Sequence, residues 1–351
     1  MHMNRSPLLL FWPVLTALTL LALSSPAQKN YKVIPLPQAI NSINEEFSGM
    51  SLYENRLYLL PQYGSHKESK LDSAFNIYSL NIDSVSRVID GKDTALSAFK
   101  IIRVRNLDQL PDSVKAYYEG FEAIVVLKDQ VFLSIETNDK YDYCFILKGK
   151  LDKKTGQIFI DPSHFTSLKR YPYIKNAGFE SLTYLPAQNK LLTIYEFNGM
   201  ENGGQAYLID TTLKKVPERI SVPFLPFRIT DIQATDKGKI YGINYYYNGD
   251  YEAYLDNDIL RHQEEHLKRL VPDLRDSLNQ NPDYLREKTT YYARIVTLEN
   301  YKETNWKAVT SFDPKKNNWE GISLFRKGAL TITDANRSKK QFTTLAYFDF
   351  P

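Results

Sequence analysis

The chain is poor in cysteine and has almost no excess charge of either sign, and each scarcity excludes a class of protein. Cys144 is the only cysteine among 351 residues, so no disulfide can form within the chain and a disulfide-based scaffold is excluded. The 44 basic residues nearly balance the 41 acidic ones, which argues against nucleic acid as a partner. With 43% hydrophobic residues, the chain can bury a sizeable core, in which we expect to find Cys144.

Several catalytic signatures are also missing. The sequence has no Gly-x-Ser-x-Gly element and no glycine-rich phosphate loop, and its five histidines support no Ser–His–Asp set. His262-Gln263-Glu264-Glu265-His266 matches the H-x-x-E-H pattern of inverted zinc peptidases, but an exposed, charged helix face explains these five residues better. The tyrosines at 245 to 247, 251, 254, 291 and 292 fit either a platform for a sugar or packing between strands.

The first 27 residues differ from the rest of the chain. Arg5 provides a basic start, residues 8–23 are apolar, and Ser25-Pro26-Ala27 resembles a small-residue cleavage site. The apolar run is shorter than the ~20 residues of a membrane span and contains Pro13, although a membrane anchor is the alternative. We predict a cleaved signal peptide over residues 1–27, a secreted or periplasmic protein, and no membrane span after cleavage. No cysteine follows the run to carry a lipid.

The remainder contains a short pattern that recurs five times. Each copy has a bulky and then a polar residue, an apolar run, a short turn and a second apolar run that ends in a polar residue. The copies open at Phe47-Ser48-Gly49, Phe121-Glu122-Ala123, Phe179-Glu180-Ser181, Thr230-Asp231-Ile232 and Trp319-Glu320-Gly321. The second runs end at Gln62, Glu136, Glu196, Asn244 and Asp334. β-Branched and aromatic residues around a short turn are typical of a β-hairpin.

Five hairpins with the same polar ends, most followed by a third strand, predict an all-β fold. We expect a single-domain β-propeller over residues 28–351 with five blades visible. A large β-sandwich would explain the strands but not the recurring polar ends. A degenerate sixth blade could lie in residues 81–117 or be completed by residues 31–36. The latter strand could instead close the ring by pairing with the last blade.

One segment follows a helical rather than a strand pattern. Leucine and valine recur at helical spacing at Leu260, Leu267, Val271, Leu274 and Leu278. Pro272 and Pro282 divide the segment into short helices. We therefore predict a helical insertion over residues 253–290, between the second and third strands of blade four, lying over one face of the disc.

The propeller geometry gathers the recurring acids at one channel mouth, because the first strand begins where the antiparallel second strand ends. The expected ring consists of Glu122, Glu180, Asp231 and Glu320, with Glu136, Glu196, Asn244 and Asp334 just outside it. Clustered carboxylates raise one another's pKa unless a cation intervenes, and Ca²⁺ prefers several oxygen ligands. We predict that the ring of four binds Ca²⁺. The alternative is that each acid accepts backbone N–H groups or pairs with an arginine.

The remaining polar groups at this mouth suggest hydrolytic chemistry. Glu136, Glu196 and Asp334 are additional to the four carboxylates that would bind one ion. We therefore predict catalytic roles for them, with one acting as a base. Lys67, Arg228, Arg337 and Asn244 are the candidates for binding a phosphorylated or carboxylated substrate.

Three stretches resemble one known family. They are Glu119-Gly120-Phe121-Glu122-Ala123-Ile124 with Ser134-Ile135-Glu136, Gly178-Phe179-Glu180-Ser181-Leu182 with Ile194-Tyr195-Glu196, and Trp319-Glu320-Gly321-Ile322 with Thr333-Asp334. They are similar to the "esterase-like activity of phytase" family of exported bacterial proteins. The resemblance implies a propeller, calcium, and phosphoester or ester hydrolysis. The chain departs from it at Ser48 and Gln62, where acids would be expected.

The sequence thus predicts an exported, monomeric propeller that hydrolyses phosphate or carboxylate esters with the help of calcium at its channel mouth. The alternative is a non-catalytic propeller of the cell envelope that binds a sugar or a peptide. In both cases the partner is a small-molecule ligand and not nucleic acid.

Overall fold

The computed structural model describes residues 31–42, 44–63, 71, 75–171, 174, 176–199, 203–256, 268–269, 271–289, 291–312, 317–337 and 343–350. In these residues the chain is mostly β-strand with a few short helices, and the fold is the all-β propeller predicted from the sequence. The predicted signal peptide lies outside the described residues and stays a prediction. No helix in the described part is long and apolar enough to cross a membrane.

The strands form five antiparallel meanders, which are the blades. Blade one contains β2 (Phe47–Tyr53), β3 (Arg56–Pro61), β4 (Asn76–Asn81) and β5 (Lys100–Arg105). Blade two contains β6 (Tyr118–Leu127), β7 (Gln130–Thr137), β8 (Tyr143–Asp152) and β9 (Gln157–Lys169). Blade three contains β10 (Thr183–Leu185), β11 (Lys190–Ile194), β12 (Gly204–Asp210) and β13 (Glu218–Val222). Blade four contains β14 (Arg228–Ala234), β15 (Ile240–Tyr247), β16 (Tyr291–Leu298) and β17 (Lys307–Ser311).

Blade five combines the two ends of the described chain. Its strands are β18 (Asn318–Phe325), β19 (Gly328–Asp334), β20 (Leu345–Asp349) and β1 (Tyr31–Ile34). Strand β1 pairs with β20 from Tyr31 opposite Phe348 to Ile34 opposite Leu345. The first strands contact one another in cyclic order, β2 with β6, β6 with β10, β10 with β14, β14 with β18, and β18 with β2. The N-terminal strand therefore closes a ring, as one of the sequence-based alternatives predicted.

Residues 81–117 connect blades one and two. They contain helix α1 (Ile82–Ile89), strand β5, a 3₁₀ turn (Leu107–Gln109) and helix α2 (Asp112–Lys115). Asn81 caps α1, since its side chain accepts hydrogen bonds from the backbone N–H groups of Asp83 and Ser84. This segment thus supplies the outer strand of blade one and a linker, in the place where a degenerate sixth blade was considered.

Blades one and two are joined at their outer edges as well as at the channel. Strand β5 pairs in parallel with β9, with Arg103 opposite Gln157 and Arg105 opposite Phe159. Because β2 also contacts β6 at the channel, the eight strands form a nearly closed barrel around one apolar core. This core includes Leu60, Ile77, Val104, Leu133, Leu147 and Ile158. We call this unit the two-blade barrel.

The helical insertion lies between β15 and β16, where the leucine spacing predicts it. Its described elements are α3 (Tyr251–Asp256), a 3₁₀ turn (Pro272–Leu274), α4 (Arg275–Gln280) and α5 (Tyr284–Lys288). Buried Val271, Leu278 and Leu285 belong to the same apolar cluster as Tyr246 and Tyr292 of the neighbouring strands. The H-x-x-E-H stretch at 262–266 lies outside the described residues.

A candidate active site at the propeller mouth

A cavity of about 510 Å³ occupies the mouth where the first strands begin and the second strands end. Eight carboxyl side chains line it: Glu46, Glu122, Glu136, Glu180, Glu196, Asp250, Glu320 and Asp334. Arg228 is the one cationic side chain among its described lining residues. The convergence of acids predicted from the repeat is therefore present, and it extends beyond the repeat positions.

Backbone bulges in three of the blades aim one residue of the first strand at this cavity. In blades one, four and five the pairing shifts between Phe47 and Gly49, between Ile229 and Asp231, and between Trp319 and Gly321. The extra residue at each bulge lines the cavity, and these residues are Ser48, Thr230 and Glu320. Bulges redirect side chains in this way next to functional sites. Glu122 and Glu180 follow Phe121 and Phe179 at the equivalent positions of blades two and three.

Asp231 lies one residue beyond the equivalent position, which corrects its expected place in the ring. It does not line the cavity, and its buried carboxylate accepts the backbone N–H groups of Ile232 at 2.8 Å and Ile322 at 2.9 Å. It therefore links blade four to blade five. Thr230 takes the ring position and donates its hydroxyl to the backbone oxygen of Trp319 at 2.8 Å.

Of the other three ring acids, Glu122 is buried and Glu180 and Glu320 are partly buried, and all three hold their protons strongly. Burial raises the pKa of Glu122, Glu180 and Glu320 well above the usual range, and neighbouring carboxylates raise it further. Gln62 donates its amide to Oε1 of Glu122 at 2.8 Å. The blade-one residue that departs from the family pattern thus provides a donor to an acid of blade two.

Glu136 and Asp334 are predicted catalytic residues that line the cavity. Burial, and next the negative charge of Glu196, raise the pKa of Glu136 to about 8. Burial raises the pKa of Asp334 to about 7, although the backbone N–H of Asn336 donates to its carboxylate at 2.6 Å. These two carboxyls therefore change charge near neutral pH.

Glu196, the third predicted catalytic residue, has a cationic partner. Burial raises the pKa of its carboxyl, but Arg228 opposes this shift through a direct ion pair. Nε of Arg228 also contacts Oδ2 of Asp250 at 2.8 Å, so the guanidinium lies between two carboxylates. Glu196 further accepts the backbone N–H of Gly178 at 3.2 Å and a hydrogen bond from Glu180. These donors favour the ionised form of Glu196.

The predicted substrate-binding residues occupy different environments. Arg228 lines the cavity, whereas Asn244 is buried behind it and donates to the backbone oxygens of Pro226 and Arg228. Arg337 stands at the edge, where its Nε contacts Glu46 at 2.7 Å and its guanidinium lies 5.2 Å from the ring centre of Tyr63. Lys67 lies outside the described residues. Asn244 therefore lies outside the described lining of the cavity, and its role in substrate binding stays a prediction.

An aromatic wall borders the cavity on the side of blade four. The rings of Tyr247 and Tyr291 stack with centroids 5.3 Å apart at 18°, and Tyr245 lies next to Tyr291 with centroids 6.4 Å apart. All three line the cavity. The wall offers flat apolar surface beside the carboxyls.

Sequence reasoning missed several lining residues. Glu46 and Asn318 precede the bulky residue of their copies, so the repeat itself held a signal for them. Asp250 lies in a 3₁₀ turn outside the repeat, and no sequence pattern indicated its position.

Calcium binding stays a prediction. Within the described ranges, no group of three or more acidic, histidine or cysteine side chains has an arrangement that could hold a metal ion. Of the four predicted ligands, Glu122, Glu180 and Glu320 share the cavity, and Asp231 is committed to backbone N–H groups.

Comparison with known proteins identifies the fold but no family. No family model matches the chain, and no curated protein matches it. An exo-β-1,3-galactanase from Phanerochaete chrysosporium, determined with β-1,3-galactotriose, superposes with a TM-score of 0.50 at 9% identity, over 91% of this chain and 64% of that one. A GH43 β-xylosidase/α-arabinofuranosidase from a compost metagenome gives 0.48 at 10% identity, over 90% and 94% of the two chains. The chain thus spans less than two thirds of the galactanase and shares its propeller fold.

Proposed function

We propose that the mouth cavity is the active site of a glycoside hydrolase that acts on a neutral carbohydrate. The observation that carries this proposal is the pair formed by Glu136 and Glu196. Both are buried in one cavity, yet Glu136 holds a proton at neutral pH and Glu196 has donors that favour its charge. Two carboxyls whose environments separate their proton affinities can serve as an acid and a base.

In the proposed reaction Glu136 donates its proton to the glycosidic oxygen as the bond to the anomeric carbon breaks. Glu196 takes a proton from the water that attacks this carbon, so the bond is replaced by two hydroxyl groups. The Arg228 guanidinium stabilises the negative charge of Glu196 before the step, and Asp250 fixes the position of the guanidinium through a second ion pair.

The charge of the cavity favours an uncharged substrate. Eight carboxyl groups face one arginine, and that arginine already lies between Glu196 and Asp250. The one arginine is therefore already engaged and offers a phosphate group no unpaired cation, whereas sugar hydroxyls can donate to carboxyl oxygens and accept from protonated carboxyls. The wall of Tyr245, Tyr247 and Tyr291 suits the apolar face of a sugar ring. The galactanase of the same fold, determined with a galactotriose, is consistent with such a ligand.

The second candidate is the calcium-assisted hydrolysis of phosphate or carboxylate esters. It is favoured by the equivalent positions of Glu122, Glu180 and Glu320, which place three carboxyls in one cavity. Calcium would supply positive charge for a phosphoryl or acyl oxygen, but the described carboxyls are not arranged to hold a metal ion. Glu136 or Asp334 would then act as the base, and Arg337 at the edge would face the anionic group.

A panel of chromogenic substrates separates these candidates. The first candidate predicts hydrolysis of galactosides, xylosides or arabinosides, with each substrate hydrolysed at the same rate in calcium as in a chelator. It predicts no hydrolysis of phosphate and carboxylate esters. Ester hydrolysis that requires calcium would replace the first candidate by the second. Glycan binding without turnover of any substrate would instead favour the non-catalytic propeller.

A further inference from the structure

A second cavity, of about 670 Å³, lies at the opposite end of the two-blade barrel. Its lining comes from the turn between β2 and β3, the facing ends of β4 and β5, and the turn between β8 and β9. These turns lie at the ends of the strands that point away from the mouth, because Gln62 marks the mouth end of the first hairpin. The parallel pairing of β5 with β9 closes the outer side of this space. Barrel ends are common places for ligand sites.

The ionisable side chains of this cavity are mostly basic, whereas those of the mouth are mostly acidic. Four cationic side chains line it: Arg56, Lys100, Lys153 and Lys154. Glu54 is the one acidic residue among its described lining residues. Lys153 pairs with Glu54 at 2.7 Å, and Arg56 donates to the hydroxyl of Ser79 at 3.0 Å. Exposed Lys100 and Lys154 form no ion pair with any residue of the described ranges. The positive charge is therefore largely uncompensated.

The base of the cavity is apolar and aromatic. Tyr58, Ile102 and Leu151 are buried there as part of the barrel core, and Tyr53 is half-buried beside them. Ile101 stands at the rim with 55% of its surface exposed, which is unusual for a large aliphatic side chain. Cationic groups around an aromatic base fit an anionic group attached to an organic ring.

We propose that this cavity is a second ligand site, which binds a saccharide carrying sulfate or carboxylate groups. The anionic group would contact Lys100, Lys154 and Arg56, since charge-assisted hydrogen bonds are the strongest that such groups form. The sugar ring would lie against half-buried Tyr53, whose ring centre lies 5.5 Å from Nζ of Lys153. This inference is independent of the proposed function, because it shares no residue with the mouth cavity.

Binding to the full-length protein tests the proposal by calorimetry with three probes: a sulfated disaccharide from heparin, its unsulfated counterpart and inorganic sulfate. The double variant Lys100→Glu/Lys154→Glu reverses two exposed charges. Lys237→Glu/Lys302→Glu is the matched control, with the same charge change at exposed positions of blade four. Melting temperatures of both variants check the folding.

We expect the sulfated disaccharide to bind, and the Lys100→Glu/Lys154→Glu variant to weaken binding about tenfold or more, as the loss of two charge contacts implies. The control should bind like the wild type, and raised salt should weaken binding. The proposal is overturned if the sulfated disaccharide does not bind, or if both double variants lose affinity equally. It is also overturned if inorganic sulfate binds as tightly as the disaccharide, because the aromatic base would then contribute nothing.

Discussion

Glu196 accepts the backbone N–H of Gly178 at 3.2 Å, and a Cβ atom on the same glycine would lie 3.1 Å from Oε1 of Glu136. One residue without a side chain therefore separates the proposed base from the proposed acid. We predict that Gly178→Ala lowers kcat/KM at least about tenfold, because it displaces the Glu136 carboxyl by a few tenths of an ångström. The melting temperature should change little. Unchanged kinetics would show that the position of Glu136 does not matter.

Arg228 opposes the burial that raises the pKa of Glu196. Replacing it with glutamine removes the cation, so we predict that the acidic limb of the kcat/KM profile moves to higher pH by about one unit or more. Arg87→Gln is the control, since Arg87 forms an exposed ion pair with Asp93 far from the cavity. A profile of Arg228→Gln that coincides with that of the control would remove Glu196 from the role of base.

Stability should fall as pH rises toward 8. The folded protein binds protons that the unfolded chain has released, because the pKa of Glu136 is about 8 against 4.5 and that of Asp334 about 7 against 3.8. The stabilisation is complete below pH 4 and is lost as pH rises through the folded values. Each such carboxyl should lower the free energy of unfolding by roughly 1.4 kcal/mol per pH unit between its unfolded and folded pKa. We therefore expect melting temperatures to decline between pH 5 and 8. Glu136→Gln should flatten this decline, and a melting temperature that rises over this range would contradict the assignment.

Asp231 should matter for stability and not for ligand binding. Removing its carboxylate in Asp231→Ala leaves the N–H groups of Ile232 and Ile322 unsatisfied, which should cost about 2–5 kcal/mol in urea unfolding. Thr230→Val loses one hydroxyl donor to Trp319 and should cost only about 1 kcal/mol. Loss of sugar affinity in Asp231→Ala at a temperature where it is fully folded would contradict the structural role.

The sequence predicted the hairpins, the ring and the acidic mouth, since β-branched runs and their polar ends are local features. It misplaced Asp231 because Thr230 was taken as the opening residue of the fourth copy, whereas the strand pairing shows that Ile229 corresponds to Phe47 and Trp319, and that Thr230 is the residue at the bulge.

Contacts between distant segments were also beyond sequence reasoning. Asp250 reaches Arg228 only through the path of the insertion, and Lys100 meets the turn at Lys153 only because β5 pairs with β9. Such pairings depend on how blades pack and not on any spacing along the chain.

The pH dependence of kcat/KM for wild type and Glu136→Gln, on the best glycoside of the panel, tests the central claim most directly. We predict that the wild-type rate falls above about pH 8 as Glu136 loses its proton, and that Glu136→Gln is about 10²- to 10⁴-fold slower and lacks this basic limb. Glu218→Gln, an exposed partner of Lys190, should behave like the wild type. A Glu136→Gln variant with wild-type rates and an unchanged basic limb would contradict the proposed acid–base site.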